Sequence, residues 1–186
     1  KLKFSGYDAI VFQGHAPKGG YLYVHDDRGE LRDAKHLLGK DTWETQQALE
    51  QELGFRGHQL SVYTSGIAGE HLVKWAAIHG DYGHVASKNG CGAVMGAKRV
   101  KAVAIVRGTK GLRVHDPRGL YQSADLISHE LKTNPTTSGL YQLGTLTGVM
   151  NLLKLGALPI RNYSTNLPPA HVDMSIWEGK ALREGF

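Results

Sequence analysis

The chain has a single cysteine, Cys91, among its 186 residues. No internal disulfide can form, so the framework of a small secreted protein is excluded and the cytoplasm is the expected compartment. No Cys-x-x-Cys pair and no His-Glu-x-x-His motif occurs, so the chain supplies neither an iron–sulfur nor a zinc framework of its own. No apolar run approaches the roughly 18 residues of a membrane helix, and no basic-then-apolar leader precedes the first element. Only six prolines interrupt the chain, two of them adjacent at Pro168 and Pro169. Charged residues make up 21% and apolar residues 41%, a balance that excludes disorder and provides a core.

Glycine is abundant. There are 24 glycines, close to twice the average usage of about 7%. Glycine permits positive φ and close approach of the backbone to a neighbour or ligand. The formal charge is +5 and the pI near 9.3. Anionic partners are compatible with that charge, and so is a simple surface excess of lysine. The chain opens at Lys1 without Met and runs almost directly into an apolar stretch, which reads as a fragment or processed product with a strand partner expected upstream.

The first hundred residues alternate apolar runs with turn signals. Strands are expected at Tyr7–Gln13, Tyr21–His25, Glu30–Asp33, Gln59–Tyr63, Leu72–Ile78 and Lys101–Arg107. Asp26-Asp-Arg-Gly29 reads as a hairpin turn. Between the strands, Asp41 or Thr42 caps a helix with an acidic or hydroxyl residue three positions on, and Gly54 ends it. After Gly108 the periodicity becomes helical, with helices expected at Leu120–Leu131 and Leu143–Leu155. A polar turn is expected at Thr133–Gly139 and irregular chain from Pro159. The expected class is α+β, with a β-rich domain at 1–112 and the start of a helical domain at 113–186.

The densest constellation lies between Gly80 and Gly96. Five glycines fall within these 17 residues, followed by Lys98, Arg99 and Lys101. Ser87 or Asn89 is placed to cap a short helix running from Ala93 to Lys98. A glycine-rich approach to a helix start exposes backbone N–H groups to an anion. The pattern is neither a Walker A loop nor a dinucleotide fingerprint, and a tight turn packed on neighbouring strands is the more common explanation of such a stretch. Cys91 has no base at a recognisable spacing and reads as small packing. His71, His79 and His84 are close in sequence without metal-ligand spacing. Lys98, Arg99, Lys101, Arg107, Lys110 and Arg113 form a basic run. No aromatic pair or zinc finger accompanies it, so nucleic acid is not an expected partner.

Several collinear segments resemble one family. Gly92-Ala-Val-Met-Gly96, Lys101-Ala-Val-Ala-Ile-Val106 and Gly108-Thr-Lys110 follow one another as in the aldehyde:ferredoxin oxidoreductases, tungsten bis-pterin enzymes. Leu2-Lys-Phe-Ser-Gly-Tyr-Asp-Ala-Ile-Val11, Glu30-Leu-Arg-Asp-Ala-Lys-His-Leu-Leu-Gly-Lys40, Ala68-Gly-Glu-His-Leu-Val-Lys74, Tyr141-Gln-Leu-Gly-Thr145 and Gly156-Ala-Leu-Pro-Ile-Arg-Asn-Tyr163 agree in order with the same family. The resemblance runs from about Leu2 to Asn166.

The resemblance implies a β-rich domain that cradles two pterins, followed by helical domains. It further implies oxidation of aldehydes to carboxylates at tungsten or molybdenum. Electrons would pass through a [4Fe-4S] cluster to ferredoxin or another electron-transfer subunit. The cluster cysteines and the catalytic residues are expected outside these 186 residues, so the chain alone should be inactive. Homodimer formation stays open. By resemblance, the residues that meet the pterin are His84, Val85, Ser87, Lys88, Asn89, Gly90 and Gly92. The main-chain carbonyl of Val85 would help hold a Mg²⁺ that bridges the pterin phosphates. His84 and Lys88 stand where the family has arginines, and Ser87 and Asn89 where it has glycines. Lysine keeps the charge without the bidentate fork of arginine, and histidine is only partly charged near neutrality. Backbone contacts are therefore expected to carry more of the binding, with Gly90 and Gly92 intolerant of bulk. An aromatic-CoA reductase type of paralogue and a non-catalytic pterin-binding module are the alternatives.

Overall fold

A computed structural model describes residues 1–109 and 111–184. Lys110 of the basic run therefore lies outside the described residues. The chain divides after Arg113 into two compact units.

The first unit is built on a mixed sheet. Strand β1 (Gly20–His25) turns through Asp26 and Asp27, both at positive φ, into β2 (Arg28–Asp33). Helix α1 (Thr42–Leu53) separates this hairpin from β3 (Leu60–Thr64). A short helix α2 (Gly66–Glu70) precedes the hairpin of β4 (Ile78–Gly80) and β5 (His84–Ala86). Helix α3 (Cys91–Ala97) then leads into β6 (Val100–Val106). The spatial order is β2-β1-β6-β3-β4-β5. Strand β6 runs parallel to β1 and antiparallel to β3, which makes it the centre of the sheet.

The alternation of side chains along a strand assigns the two faces. Tyr21 and Tyr23, Leu60 and Val62, and Ala102, Ala104 and Val106 share one face. Leu49 of α1 packs on them with Leu37, backed by Ala48 and Leu53. Burying a Leu or Val side chain contributes about 1.5–3 kcal/mol, so this layer is the main apolar stabilisation of the unit. Helix α1 begins with a reciprocal capping box: the Asp41 carboxylate accepts from Glu44 N–H, and the Glu44 carboxylate accepts from Asp41 N–H. Gly54 closes it at φ 73°.

Three expectations fail in this unit. Tyr7–Gln13 is irregular rather than a strand. Its Ile10 and Phe12 instead line a cavity with Tyr63 and Val103, which lie on the other face of the sheet, so apolar character there reflects cover and not pairing. Leu72–Ala77 is turn and irregular chain, with the bonds Leu72 N–H to Gly69 O and Ala76 N–H to Val73 O, and the strand begins only at Ile78. Helix α3 starts at Cys91 after Gly90. Neither Ser87 nor Asn89 caps it, because Asn89 and Gly90 both sit in the left-handed region.

The second unit is helical, as expected, with shifted boundaries. Helix α4 (Pro117–Thr133) is capped by Asp116, whose carboxylate accepts from Gly119 N–H, with Pro117 at its first position. The segment read as a polar turn starts α5 (Pro135–Leu143) instead, because Asn134 caps it and Pro135 fits the first helical position. A tight 3₁₀ turn at Gly144–Gly148 precedes α6 (Val149–Lys154), so one expected helix is a broken pair. Most of the chain after Pro159 is irregular, yet α7 (Gly179–Glu184) forms near its end. No described helix is long and apolar enough to cross a membrane.

Candidate site at the sheet edge

Strand β5 is the last strand of the sheet, and it carries His84 and Val85, while the loop from its end to α3 carries Ser87, Lys88, Asn89 and Gly90. The backbone bonding of β5 follows from the ladder. Just past the end of β4, Asp81 N–H donates to Val62 O and the Asp81 carboxylate accepts from Val62 N–H (both 3.1 Å), so the N–H and C=O of Val62 face β4. Bonded and non-bonded pairs alternate along an antiparallel ladder, so Thr64 and His79 form the next bonded pair. The N–H and C=O of His79 thus face β3. Its partner on the other side, Val85, is then in a non-bonded pair. The N–H and C=O of Val85 face outward, at the free edge of the sheet.

The residues from Tyr82 to Asn89 are all exposed, whereas Gly90 is buried. His84 and Lys88 present an imidazole and an ammonium on this exposed stretch. Cys91 Sγ donates to Ala86 O at 2.9 Å, which ties the start of α3 to the end of β5. Asn89 (φ 66°) and Gly90 (φ 64°) turn the chain into the helix.

The two glycines of the loop approach protein, not open space. A Cβ at Gly90 would lie 2.1 Å from Lys74 O, and one at Gly92 would lie 2.4 Å from Ala77 O. Gly92 N–H donates to Ala76 O at 2.8 Å, so this donor is committed within the fold. Further along, a Cβ at Gly96 would meet Gly69 O at 1.8 Å, where α2 and α3 touch backbone to backbone. The glycine spacing is thus explained by packing on residues 69–77, and the solvent-exposed part of the loop is the stretch before Gly90.

Beside the loop lies an apolar cavity of about 660 Å³, lined by Ala86, Asn89 and Cys91 together with Tyr63, Val94, Met95 and Val103 among others. The basic residues that follow are largely engaged in structure. Lys98 Nζ donates to Phe12 O (3.0 Å) and Gly14 O (3.2 Å). Arg99 donates to Pro17 O (2.8 Å), and Arg107 lies 4.2 Å above the Phe4 ring. Lys101 Nζ donates to Lys40 O (2.7 Å) and pairs with Glu70. Among the described residues no group of three His, Cys, Asp or Glu side chains is placed to hold a metal ion. A cation at this edge would have to rely on carbonyls such as Val85 O. Sequence reading missed the Glu70–Lys101 pair, because no spacing links residues 31 positions apart. It also missed the outward turn of Val85, which only the strand register reveals.

Fold and loop together define an α+β domain built on a mixed six-stranded sheet, with a glycine-rich junction at its edge. The sequence pattern of the aldehyde ferredoxin oxidoreductase N-terminal domain matches residues 1–107, and the chain belongs to this family. The tungsten-containing aldehyde ferredoxin oxidoreductase of Thermococcus kodakarensis is 39% identical over 168 residues, covering 90% of this chain and 27% of the relative. Its counterpart from Pyrococcus furiosus is 37% identical over 176 residues, covering 94% of this chain and 29% of the relative. The active-site complex BamBC of benzoyl coenzyme A reductase, solved with 1,5-dienoyl-CoA, superposes with a TM-score of 0.65 at 41% identity. It covers 70% of this chain and 19% of that one. The chain thus spans less than a third of the length of the curated relatives described.

Proposed function

We propose that this chain forms part of the pterin cradle of a tungsten or molybdenum oxidoreductase that converts aldehydes to carboxylates. The outward-facing backbone of Val85 beside the exposed residues His84 to Asn89 carries the reading. That edge fits the expected group, since an outward-facing carbonyl suits a hard cation, and the neighbouring imidazole and ammonium suit phosphate oxygens. Val85 O would hold the bridging Mg²⁺. His84 and Lys88 would contact the phosphates, with Ser87 and Asn89 adding hydrogen bonds. Gly90 and Gly92 would act indirectly, by seating the loop against residues 74–77. The bound group supplies two-electron chemistry at the metal. Electrons would leave through a [4Fe-4S] cluster held by cysteines elsewhere in the protein, toward ferredoxin or a similar subunit.

A second reading is favoured by one observation. The benzoyl coenzyme A reductase complex is 41% identical over 70% of this chain, against 37–39% over 90% or more for the aldehyde oxidoreductases, so an aromatic acyl-CoA thioester is the rival substrate class. The test is anaerobic purification of the gene's full-length product and assay with a viologen dye. Aldehyde-dependent dye reduction is the expected result. Reversible electron exchange with aromatic acyl-CoA, without aldehyde turnover, selects the second reading. A cofactor-loaded protein active in neither assay overturns both.

A further inference from the structure

A second cavity, of about 250 Å³, lies by the start of β6, where Leu38 and Val100 line it together with the polar groups of Ser65, Glu70, Arg99 and Lys101. Three features of it go unused by the cradle. The Lys101 side chain is only 1% exposed, and an ammonium so buried needs all its donors satisfied. Two of its three N–H groups reach Lys40 O and Glu70. Ser65 Oγ is buried and has no hydrogen-bond partner among the described residues, a state that usually marks a missing partner. Arg99, exposed at the cavity, follows the last turn of α3 at a left-handed φ of 55°, with its N–H donating to Gly96 O at 2.8 Å. One contact, to Pro17 O, leaves most of its guanidinium donors uncommitted.

The charges decide what would fit. Two cations face one carboxylate, and Glu70 is already engaged by Lys101 and by Gly39 N–H at 3.0 Å. Donors are therefore in surplus. We infer that this cavity binds a small oxyanion, a phosphate or a carboxylate, through the remaining Lys101 N–H, the Arg99 guanidinium and the Ser65 hydroxyl. The site is separate from the Val85 edge, since it lies at the far end of α3.

The experiment is an amide NMR titration of the isotope-labelled 186-residue chain with inorganic phosphate and, separately, with acetate. Saturating shifts at Ser65, Gly96 and Lys101 are expected with at least one of them. Saturation by phosphate alone assigns a tetrahedral ligand, by acetate alone a carboxylate. Arg99→Gly suits the local φ, so it should keep the fold while weakening the anion about tenfold or more, as loss of a charged hydrogen bond does. Ser65→Ala should weaken it as well. Absent or non-saturating shifts, or shifts confined to residues 84–92, overturn the proposal. So does either variant titrating like the parent, which would mark an adventitious ion only.

Discussion

Gly92→Ala should destabilise the chain with no cofactor present. The added Cβ would lie 2.4 Å from Ala77 O and 2.7 Å from the Ala76 carbonyl carbon, and neither is the end of a flexible side chain. Relief requires α3 to move off residues 74–77, which strains or breaks the bond from Gly92 N–H to Ala76 O. Overpacking costs about 1–3 kcal/mol, and a buried group left without its partner about 1–3 kcal/mol. Alanine returns about 1 kcal/mol as the better helix former. The net loss is about 3 kcal/mol, or a fall in melting temperature of roughly 6–12 °C at this chain length. Thermal unfolding followed by near-ultraviolet circular dichroism measures it. Gly83→Ala serves as the control, because a Cβ there meets nothing within 4 Å. If Gly92→Ala melts within about 2 °C of the parent, the backbone contact is not what requires glycine. Close approach to a ligand would then be the better explanation.

Asp41→Ala removes the capping box of α1 and should cost about 1–2 kcal/mol, read as a lower urea midpoint with an unchanged slope. Tyr21 is fully buried, and burial together with its hydrogen bond to Glu52 pushes its phenol up to about 12. An acid whose folded value is raised stabilises the fold below its unfolded value near 10 and loses that contribution as pH climbs through 12. Stability should therefore fall between pH 10 and 12, by about 2–3 kcal/mol, and Tyr21→Phe should flatten that limb in alkaline denaturation. Cys91→Ser should keep stability within about 0.5 kcal/mol, because a hydroxyl can still donate to Ala86 O; chemical denaturation checks it. Lys88→Ala should lower pterin retention in the full-length protein, and the difference from the parent should shrink in high salt because the residue is exposed.

The parts of the fold legible in sequence are those fixed by neighbours along the chain. Asp41, Glu44 and Gly54 are a local cap, a local acid and a local stop, and they mark α1 without reference to anything distant. The β1–β2 hairpin is equally local, and the apolar run of β6 survives because burial on both faces demands it. Non-local facts were hidden. The parallel pairing of β1 with β6 joins Gly20 to Val100, and no spacing announces it. Ile10 and Phe12 are apolar because they line a cavity on one face of the sheet, and composition cannot separate that from membership in the sheet. Asn134-Pro135 carried a usable signal, since the pair serves a helix start as well as a turn, and only the capping bond to Thr136 N–H decides between them. At the candidate site, the loop was legible as a glycine cluster, but the reason for its glycines was not. Gly90, Gly92 and Gly96 answer to carbonyls of residues 69–77, which sequence places nearby without saying that they touch.

The most direct test of the cradle is the tungsten, molybdenum and pterin content of the full-length gene product, compared with that of its His84→Ala/Lys88→Ala variant. Both substitutions fall on exposed side chains, so the folded yield should be unchanged. The account predicts stoichiometric metal and pterin in the parent and a clear loss of both in the variant. A parent free of metal and pterin, or a variant that retains its full complement, would contradict it.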